Sequence, residues 1–196
     1  MKSLYIKNFK NIRELKLPRI GRVNLIVGKN SVGKSTLLEA ISLYLSNAND
    51  DGIKLVLNSR GETLARVMDD ERENINKQHY LSLFTGHKED YSEKFYIEVS
   101  EEKDDVRSLK INQVYLIEEQ INEIDATRVR ISMLSKEDME KRADDLNVYG
   151  LGLCVRNGNT SVPISYARGR MSPQVGKKMN FEYVHTSDFD TEKNAM

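Results

Sequence analysis

The chain has 196 residues, which is enough for one domain that buries a core of its own. Thirty Lys and Arg residues balance thirty Asp and Glu residues, which excludes a strongly basic nucleic-acid domain and an acidic tail but not a local basic patch. The single cysteine, Cys154, excludes an intramolecular disulfide and a cysteine-rich zinc site.

The N-terminal residues and the apolar runs of the sequence bear on where the protein resides. Residues 1–7 contain no apolar stretch long enough for a signal peptide. No apolar run approaches the roughly 18 residues that a membrane-spanning helix requires. A lone thiol suits a reducing compartment. We therefore expect a soluble, cytoplasmic protein without membrane contacts.

The first fifty residues predict an α/β unit. Leu4 to Phe9 and Ile12 to Leu17 alternate apolar and polar side chains, as two paired strands at a sheet edge do. Val23 to Val27 is a short apolar run typical of a strand buried on both faces. Helical signals begin at Gly33 and end in the turn formers of residues 47–52. Five apolar side chains at helical spacing predict one buried stripe: Leu37, Leu38, Ile41, Tyr44 and Leu45.

The residues after Gly52 predict a charged segment followed by strands. Residues 69–78 are charged with little periodicity, which indicates a solvated helix face or a loop. Ser135 and Asp138 have the spacing of a capping box that opens a short helix to about residue 146. Asn157-Gly158 is a strong hairpin signal, and residues 168–178 indicate a basic loop. Further strands are predicted at residues 95–99, 109–117, 127–133, 149–156, 159–166 and 181–184.

Residues 28–35, Gly-Lys-Asn-Ser-Val-Gly-Lys-Ser, match the phosphate-loop pattern G-x-x-x-x-G-K-[ST] in full. Gly28 lets the chain leave the predicted strand in a sharp turn, and Gly33 allows the backbone to approach an oxygen closely. An accidental glycine-rich connection is disfavoured, because strand, glycines, lysine, serine and helix occur in the required order.

The chemistry of this loop predicts which residues bind a nucleotide. Lys34 would place its charge against the β- and γ-phosphates, the Ser35 hydroxyl would supply a Mg²⁺ ligand, and Thr36 would donate to the α-phosphate. Backbone N–H groups at the helix start would point at the phosphates. The predicted phosphate-binding residues are Gly28, Asn30, Ser31, Val32, Gly33, Lys34, Ser35 and Thr36.

Residues 3–12 and 24–41 together resemble the N-terminal lobe of ABC-type ATPase heads in the RecF, SMC and OLD nuclease group. More narrowly, the sequence resembles the bacterial AAA-family ATP-binding proteins of the OLD/RecF-like branch. Members of that group also have the equivalent of Asn30 in the loop and of the run Asn8-Phe9-Lys10. The match covers about the first 46 residues, and the rest of the chain is compatible in architecture only.

The resemblance implies a P-loop NTPase of the α/β class with a mostly antiparallel β-rich insertion. It implies a core lobe at residues 1–52, a helical and then β-rich lid-like insertion at 53–180, and the start of a return to the core at 181–196. ATP and Mg²⁺ would bind at Lys34, Ser35 and Thr36. The nucleotide would lie between two heads of a homodimer coupled to a DNA, nuclease or toxin partner. Lys10 matches a basic residue that reaches toward the nucleotide in related heads.

The acidic residues that hydrolysis requires are not recognisable in the sequence. Such heads carry an apolar strand that ends in Asp-Glu, whose Asp helps to hold Mg²⁺ and whose Glu activates water. The sequence closest to this pattern is the apolar run Val114 to Ile117 followed by Glu118 and Glu119. It is better explained as a strand with solvated acidic side chains. We therefore expect an N-terminal portion of a longer ATPase that binds ATP and hydrolyses little or none by itself.

Two other functional classes fit the phosphate loop. One is a non-catalytic regulatory module in which nucleotide only stabilises the fold. The other is a small P-loop kinase or GTPase, which is disfavoured because neither an acceptor pocket nor an Asn/Thr-Lys-x-Asp motif is recognisable. The histidines His79, His87 and His185 lack metal-ligand spacing.

Overall fold

A computed structural model describes residues 2–29, 32–64, 70–101, 108–123, 126–141, 148–166 and 169–170 of the chain. The helices are α1 (Lys34–Leu45), α2 (Asp50–Asn58), α3 (Asp70–Leu81) and α4 (Lys136–Lys141). The strands are β1 (Leu4–Phe9), β2 (Ile12–Leu17), β3 (Tyr96–Ser100), β4 (Leu109–Glu123), β5 (Ala126–Leu134), β6 (Val148–Asn157), β7 (Thr160–Ser165) and β8 (Gly169–Arg170).

The strands form one sheet whose order is β2-β1-β3-β4-β6-β7-β8, and β5 pairs with the distal part of β4. Every pairing in this sheet is antiparallel. The β1–β2 hairpin joins the later strands directly, because Ile6 pairs with Val99 of β3. Strands from both sides of the predicted boundary at residue 52 therefore share one sheet, and the proposed division into subdomains stays a prediction.

Helices α1 and α2 cover one face of the sheet and build the main core there. Apolar side chains of β1, β3, β4 and β6 face them. The buried helix side chains that pack on this face include Leu37, Ala40 and Leu43 of α1 and Ile53, Val56 and Leu57 of α2. In the described part of the chain, no helix is both long and apolar enough to cross a membrane.

The predicted apolar stripe of α1 is only partly correct. Leu37 is buried, but Leu38 and Leu45 are 55% and 68% exposed. The helix contacts α2, β1 and β3, so only one side of its broad apolar band is covered. The buried side runs through Thr36, Leu37, Ala40 and Leu43.

The predicted buried strand at residues 23–27 is wrong. This segment forms no strand in the structure, and Val23, Leu25 and Val27 are 91%, 87% and 77% exposed. The preceding turn is closed locally, because the Asn24 amide both accepts from the Gly21 N–H and donates to the Gly21 carbonyl. An apolar run becomes a buried strand only where neighbouring strands supply hydrogen bonds, and no described strand lies beside this one.

Most other predicted elements are confirmed. The predicted N-cap of α4 is present, because Ser135 Oγ accepts from the Asp138 N–H at 3.2 Å, and this hydroxyl also donates to the Asp138 carboxylate at 3.0 Å. The β6–β7 hairpin turns at Gly158, whose φ is +56°. Residues 70–81 form a helix, which decides between the two structures predicted for the charged segment. The predicted structures at residues 142–146, 171–178 and 181–184 lie outside the described residues.

Candidate phosphate-binding site

Gly33 begins α1 in a conformation that favours glycine. Its φ of 97° is in the left-handed region, and its carbonyl accepts the first helical hydrogen bond from the Leu37 N–H at 2.9 Å. A Cβ at this position would lie 3.2 Å from the side-chain nitrogen of Asn11, in the β1–β2 turn. The hairpin turn therefore lies directly against the start of the helix.

The Lys34 side chain reaches back to the residues that begin the phosphate loop. Its Nζ donates to the carbonyl oxygens of Gly28 at 2.7 Å and Lys29 at 2.6 Å. Both hydrogen bonds are exposed to solvent. The ammonium thus binds two neutral carbonyls among the described residues, and an anion in their place would make stronger, charge-assisted hydrogen bonds.

The first turn of α1 is suited to bind an anion. It carries no acidic side chain, so the positive end of the helix dipole is not neutralised locally. Ser35 is exposed, and Val32 is 59% exposed. Thr36 is buried, and its Oγ1 accepts a hydrogen bond from Arg60 Nη2 at 3.3 Å. Lys34, Ser35 and Thr36 thus form the first turn of α1, and their predicted contacts with a nucleotide stay predictions.

Lys10 belongs to a charged cluster next to this turn rather than to the loop itself. Its Nζ lies 3.0 Å from Glu39 Oε2 and donates to the Val56 carbonyl at 3.3 Å. Burial lowers the pKa of Lys10 below its ordinary 10.5, although Glu39 opposes this. In this structure the ammonium is engaged by Glu39, and a role of Lys10 at the nucleotide stays a prediction.

Glu39 connects Lys10 to Arg60. Its carboxylate lies 3.5 Å from Arg60 Nη2 and 3.2 Å from the Ser59 hydroxyl. Burial works to raise the pKa of Glu39, but the two cations outweigh it and hold that pKa below its usual value. Glu39 is thus a charged structural carboxylate at neutral pH.

Asn30 and Ser31 lie outside the described residues, so their predicted contacts stay predictions. Sequence reasoning missed Asn11, Glu39 and Arg60 as neighbours of the loop. Glu39 gave no usable signal, since a single acid on an amphipathic helix is usually solvated and its burial is visible only in the structure. Arg60 gave none, because it comes 24 residues after Thr36 in a stretch without a motif.

In the described ranges, no group of three or more His, Cys, Asp or Glu side chains is placed to hold a metal ion. Ser35 is therefore the one predicted Mg²⁺ ligand within the described residues, and the phosphates themselves and water would complete its coordination. Mg²⁺ commonly keeps several waters and takes few protein ligands, so the site fits this ion when a nucleotide is bound.

Comparisons with known proteins identify the family of this chain. The sequence pattern of the AAA ATPase domain family matches residues 1–184. An uncharacterized protein of Methanocaldococcus jannaschii is 52% identical over 46 residues, which cover 24% of this chain and 21% of that protein. No solved structure matches the chain.

Two relatives with described functions align over a similar number of residues. The DNA replication and repair protein RecF of Clostridioides difficile is 49% identical over 41 residues, and an ATP/GTP phosphatase of Helicobacter pylori is 46% identical over 41 residues. Each alignment covers 21% of this chain and 11% of the relative. The chain thus spans about a fifth or less of the length of these curated relatives.

Proposed function

The chain belongs to the AAA ATPase domain family, in its RecF-like group, and from that membership we propose that it is the ATP-binding portion of an ABC-type ATPase head. ATP would bind with Mg²⁺ at the start of α1. Hydrolysis would require catalytic carboxylates supplied by a further segment of the ATPase core. The ATP/GTP phosphatase among the relatives supports nucleotide hydrolysis as the activity of the complete protein.

The position of Lys34 is the observation that carries this proposal. The ammonium is held by two loop carbonyls at 2.6 and 2.7 Å, at the positive end of α1. Two adjacent phosphates would take over these contacts as charge-assisted hydrogen bonds, which are about twice as strong as neutral ones. The Ser35 hydroxyl, exposed on the same turn, would then hold Mg²⁺ against the β- and γ-phosphates.

The exposed apolar segment at residues 23–27 supports the need for a further core segment. It leads directly into the phosphate loop, and three of its side chains are more than three-quarters exposed. We propose that a strand of the ATPase core pairs beside it and brings catalytic carboxylates to the site. ATP would then join two such heads, and their closure would act on a DNA, nuclease or toxin partner.

One observation favours the alternative of a regulatory module that binds nucleotide without turnover. Glu39 is the carboxylate that α1 places near its own first turn, and it is engaged by both Lys10 and Arg60. A carboxylate held between two cations is a poor general base, because its pKa is lowered. Binding without hydrolysis would therefore be the property of this part of the protein.

Calorimetric titration of ATP in the presence of Mg²⁺ tests the proposal. We expect binding to the wild-type chain, and a loss of affinity of at least about tenfold in Lys34→Ala. Lys16→Ala is the matched control, because Lys16 is an exposed lysine of β2 and should leave affinity unchanged. Absence of ATP binding by the wild type, or equal affinity in Lys34→Ala, would contradict the proposal.

Steady-state phosphate release distinguishes the two versions of the proposal. We expect little or no turnover by the chain alone, since the catalytic carboxylates are proposed to lie on a further strand of the ATPase core. Turnover that Lys34→Ala abolishes would show that the chain already holds its catalytic groups, and would contradict the need for a further core segment.

A further inference from the structure

The N-terminal part of the chain carries an excess of positive charge. Residues 1–34 contain nine Lys and Arg residues and one acidic residue, Glu14, although the whole chain is balanced. The Glu14 carboxylate already accepts a hydrogen bond from the Tyr5 hydroxyl at 3.1 Å. Three arginines of this stretch are exposed: Arg13, Arg19 and Arg22. In a chain without net charge, such a local excess indicates a surface for an acidic partner.

Strand β2, which contains Arg13, is an edge strand of the sheet. It comes first in the sheet order, and no described strand lies beside its outer edge. Its register with β1 runs without a shift, and its six residues include no proline. The Ile20 N–H donates to the Lys2 carbonyl at 2.7 Å, which keeps the residues after β2 beside the start of β1. The edge is therefore regular and suited to pair with an additional strand.

The three arginines decide which kind of strand this edge accepts. Among the described residues, none of the three side chains forms an ion pair. A guanidinium binds a carboxylate through two parallel hydrogen bonds, and opposite charges on neighbouring strands stabilise their pairing. Like charges on neighbouring strands destabilise it, so the edge disfavours pairing with a second copy of itself. An acidic strand is therefore the partner that fits.

The backbone of the edge distinguishes between two kinds of acidic partner. Along an edge strand, alternate backbone N–H and C=O groups point outward, so β2 offers both donors and acceptors. An extended peptide matches both, because each of its residues carries one N–H and one C=O. The phosphate backbone of a nucleic acid offers acceptors only and would leave the outward carbonyls unpaired. The edge therefore favours a protein segment.

We infer that the outer edge of β2, with Arg13, Arg19 and Arg22, binds an extended acidic segment of a partner protein as an additional strand. Backbone hydrogen bonds would supply affinity, and the arginine–carboxylate pairs would select an acidic segment. Binding should weaken as the salt concentration rises, because these ion pairs are exposed. This surface lies on β2 rather than on the phosphate loop, and its binding requires no nucleotide, so the inference goes beyond the proposed function.

Fluorescence anisotropy with labelled peptides of about eight residues tests this inference. The probe alternates Glu with Thr, and two control peptides alternate Lys with Thr and Glu with Pro. We expect the Glu-Thr peptide to bind and the Lys-Thr peptide not to bind. The Glu-Pro peptide keeps the acidic charge but lacks half of the backbone donors, so it should bind at least about tenfold more weakly than the Glu-Thr peptide.

Substitution of the arginines locates the binding surface. The triple variant Arg13→Gln, Arg19→Gln and Arg22→Gln should bind the Glu-Thr peptide about tenfold more weakly, since three exposed ion pairs are lost. Arg19→Gln alone, which lies outside the strands, should weaken binding about twofold. The matched control replaces three exposed lysines elsewhere by Gln: Lys54, Lys94 and Lys141. It should bind as the wild type does, and circular dichroism verifies that each variant is folded.

Three results would overturn the inference. Equal affinity for the Glu-Thr and Glu-Pro peptides would show attraction by charge without strand pairing. Equal affinity of the wild type and the triple arginine variant for the Glu-Thr peptide would show that the acidic segment binds elsewhere. Tighter binding of a single-stranded oligothymidylate than of the Glu-Thr peptide would assign the basic surface to nucleic acid. None of these results depends on ATP, so the proposed function is tested separately.

Discussion

Lys10 Nζ and Glu39 Oε2 lie 3.0 Å apart, and the two side chains are only 4% and 13% exposed. The pair joins the β1–β2 turn to α1, and the bond from Lys10 to the Val56 carbonyl adds α2 to the same contact. Three elements therefore meet at one buried cation beside the phosphate loop. The orientation of α1 on the sheet depends on this cluster as well as on apolar packing.

Glu39→Gln should lower the free energy of unfolding by about 3 kcal/mol, because removal of one partner leaves the other charge buried without compensation. Urea unfolding followed by circular dichroism measures the change. The double variant Lys10→Met with Glu39→Gln should recover part of the loss, since no charge then remains buried at that position. Equal stability of wild type and Glu39→Gln would contradict a buried ion pair.

A control for this prediction is the exposed pair of α4. Lys136 and Glu140 lie 3.9 Å apart with 59% and 67% of their side chains exposed. Glu140→Gln should change stability by less than about 0.5 kcal/mol. A comparable loss at both positions would show that burial does not decide the strength of these pairs.

The same carboxylate makes stability depend on pH in the acidic range. The pKa of Glu39 is lowered in the folded protein, so its contribution is present above the unfolded value of 4.5 and is lost as the pH falls through the folded value. The stability difference between wild type and Glu39→Gln should be constant near neutrality and shrink below about pH 4.5. Urea titrations of both proteins at several pH values measure it. A difference that stays constant to about pH 3 would contradict a lowered pKa.

Local signals made much of the fold predictable. Four features depend on residues that are close in sequence, and each forms at its predicted position: the β1–β2 hairpin, α1, the N-cap of α4 and the turn at Gly158. The left-handed φ of Gly33 at the start of α1 is also local, whereas nucleotide binding by the phosphate-loop residues stays a prediction.

The features that the sequence did not predict depend on contacts between residues that are distant in the chain. Residues 23–27 have the composition of a central strand, but composition does not show whether another strand lies beside them. Leu38 and Leu45 are apolar on a helix that is covered on one side only. The approach of Arg60 to Thr36 depends on how α2 packs, which neither residue encodes locally.

Two buried tyrosines should make the protein sensitive to alkali. Burial raises the pKa of both Tyr91 and Tyr166 above the ordinary value of 10.0. The stabilising contribution of such a tyrosine is fully present below its unfolded pKa of 10. It is lost as the pH rises from 10 toward the higher pKa of the folded protein, because the unfolded chain ionises first.

Tyrosinate absorbance and circular dichroism, followed together on raising the pH, check this prediction. The last tyrosines to ionise should do so in the same transition that unfolds the chain. Tyr91→Phe should change stability at neutral pH by less than about 1 kcal/mol and make its decline above pH 10 less steep. Full ionisation of all tyrosines before any loss of structure would contradict buried hydroxyls.

Two glycines of β6 should differ in how strongly an alanine substitution destabilises the protein. A Cβ at Gly152 would run into the carbonyl oxygen of Ile164 and would lie 3.0 Å from Leu116 Cδ1, whereas a Cβ at Gly150 meets nothing within 4 Å. Gly152→Ala should therefore cost about 1–3 kcal/mol of stability through overpacking. Gly150→Ala should stay within about 0.5 kcal/mol of the wild type. Thermal unfolding measures both, and equal effects would contradict the close approach of β6 and β7.

The exposed segment at residues 23–27, before the phosphate loop, should contribute little to the stability of the protein. Leu25 is 87% exposed and Leu43 of α1 is fully buried, although both are leucines within twenty residues of each other. Leu25→Ala should change the free energy of unfolding by less than about 0.5 kcal/mol. Leu43→Ala should cost about 2–5 kcal/mol, because it leaves a cavity between α1 and the sheet. A loss at Leu25 as large as that at Leu43, measured by urea unfolding of dilute protein, would show that residues 23–27 pack within the chain. A loss that appears only at high protein concentration would show that another copy covers them.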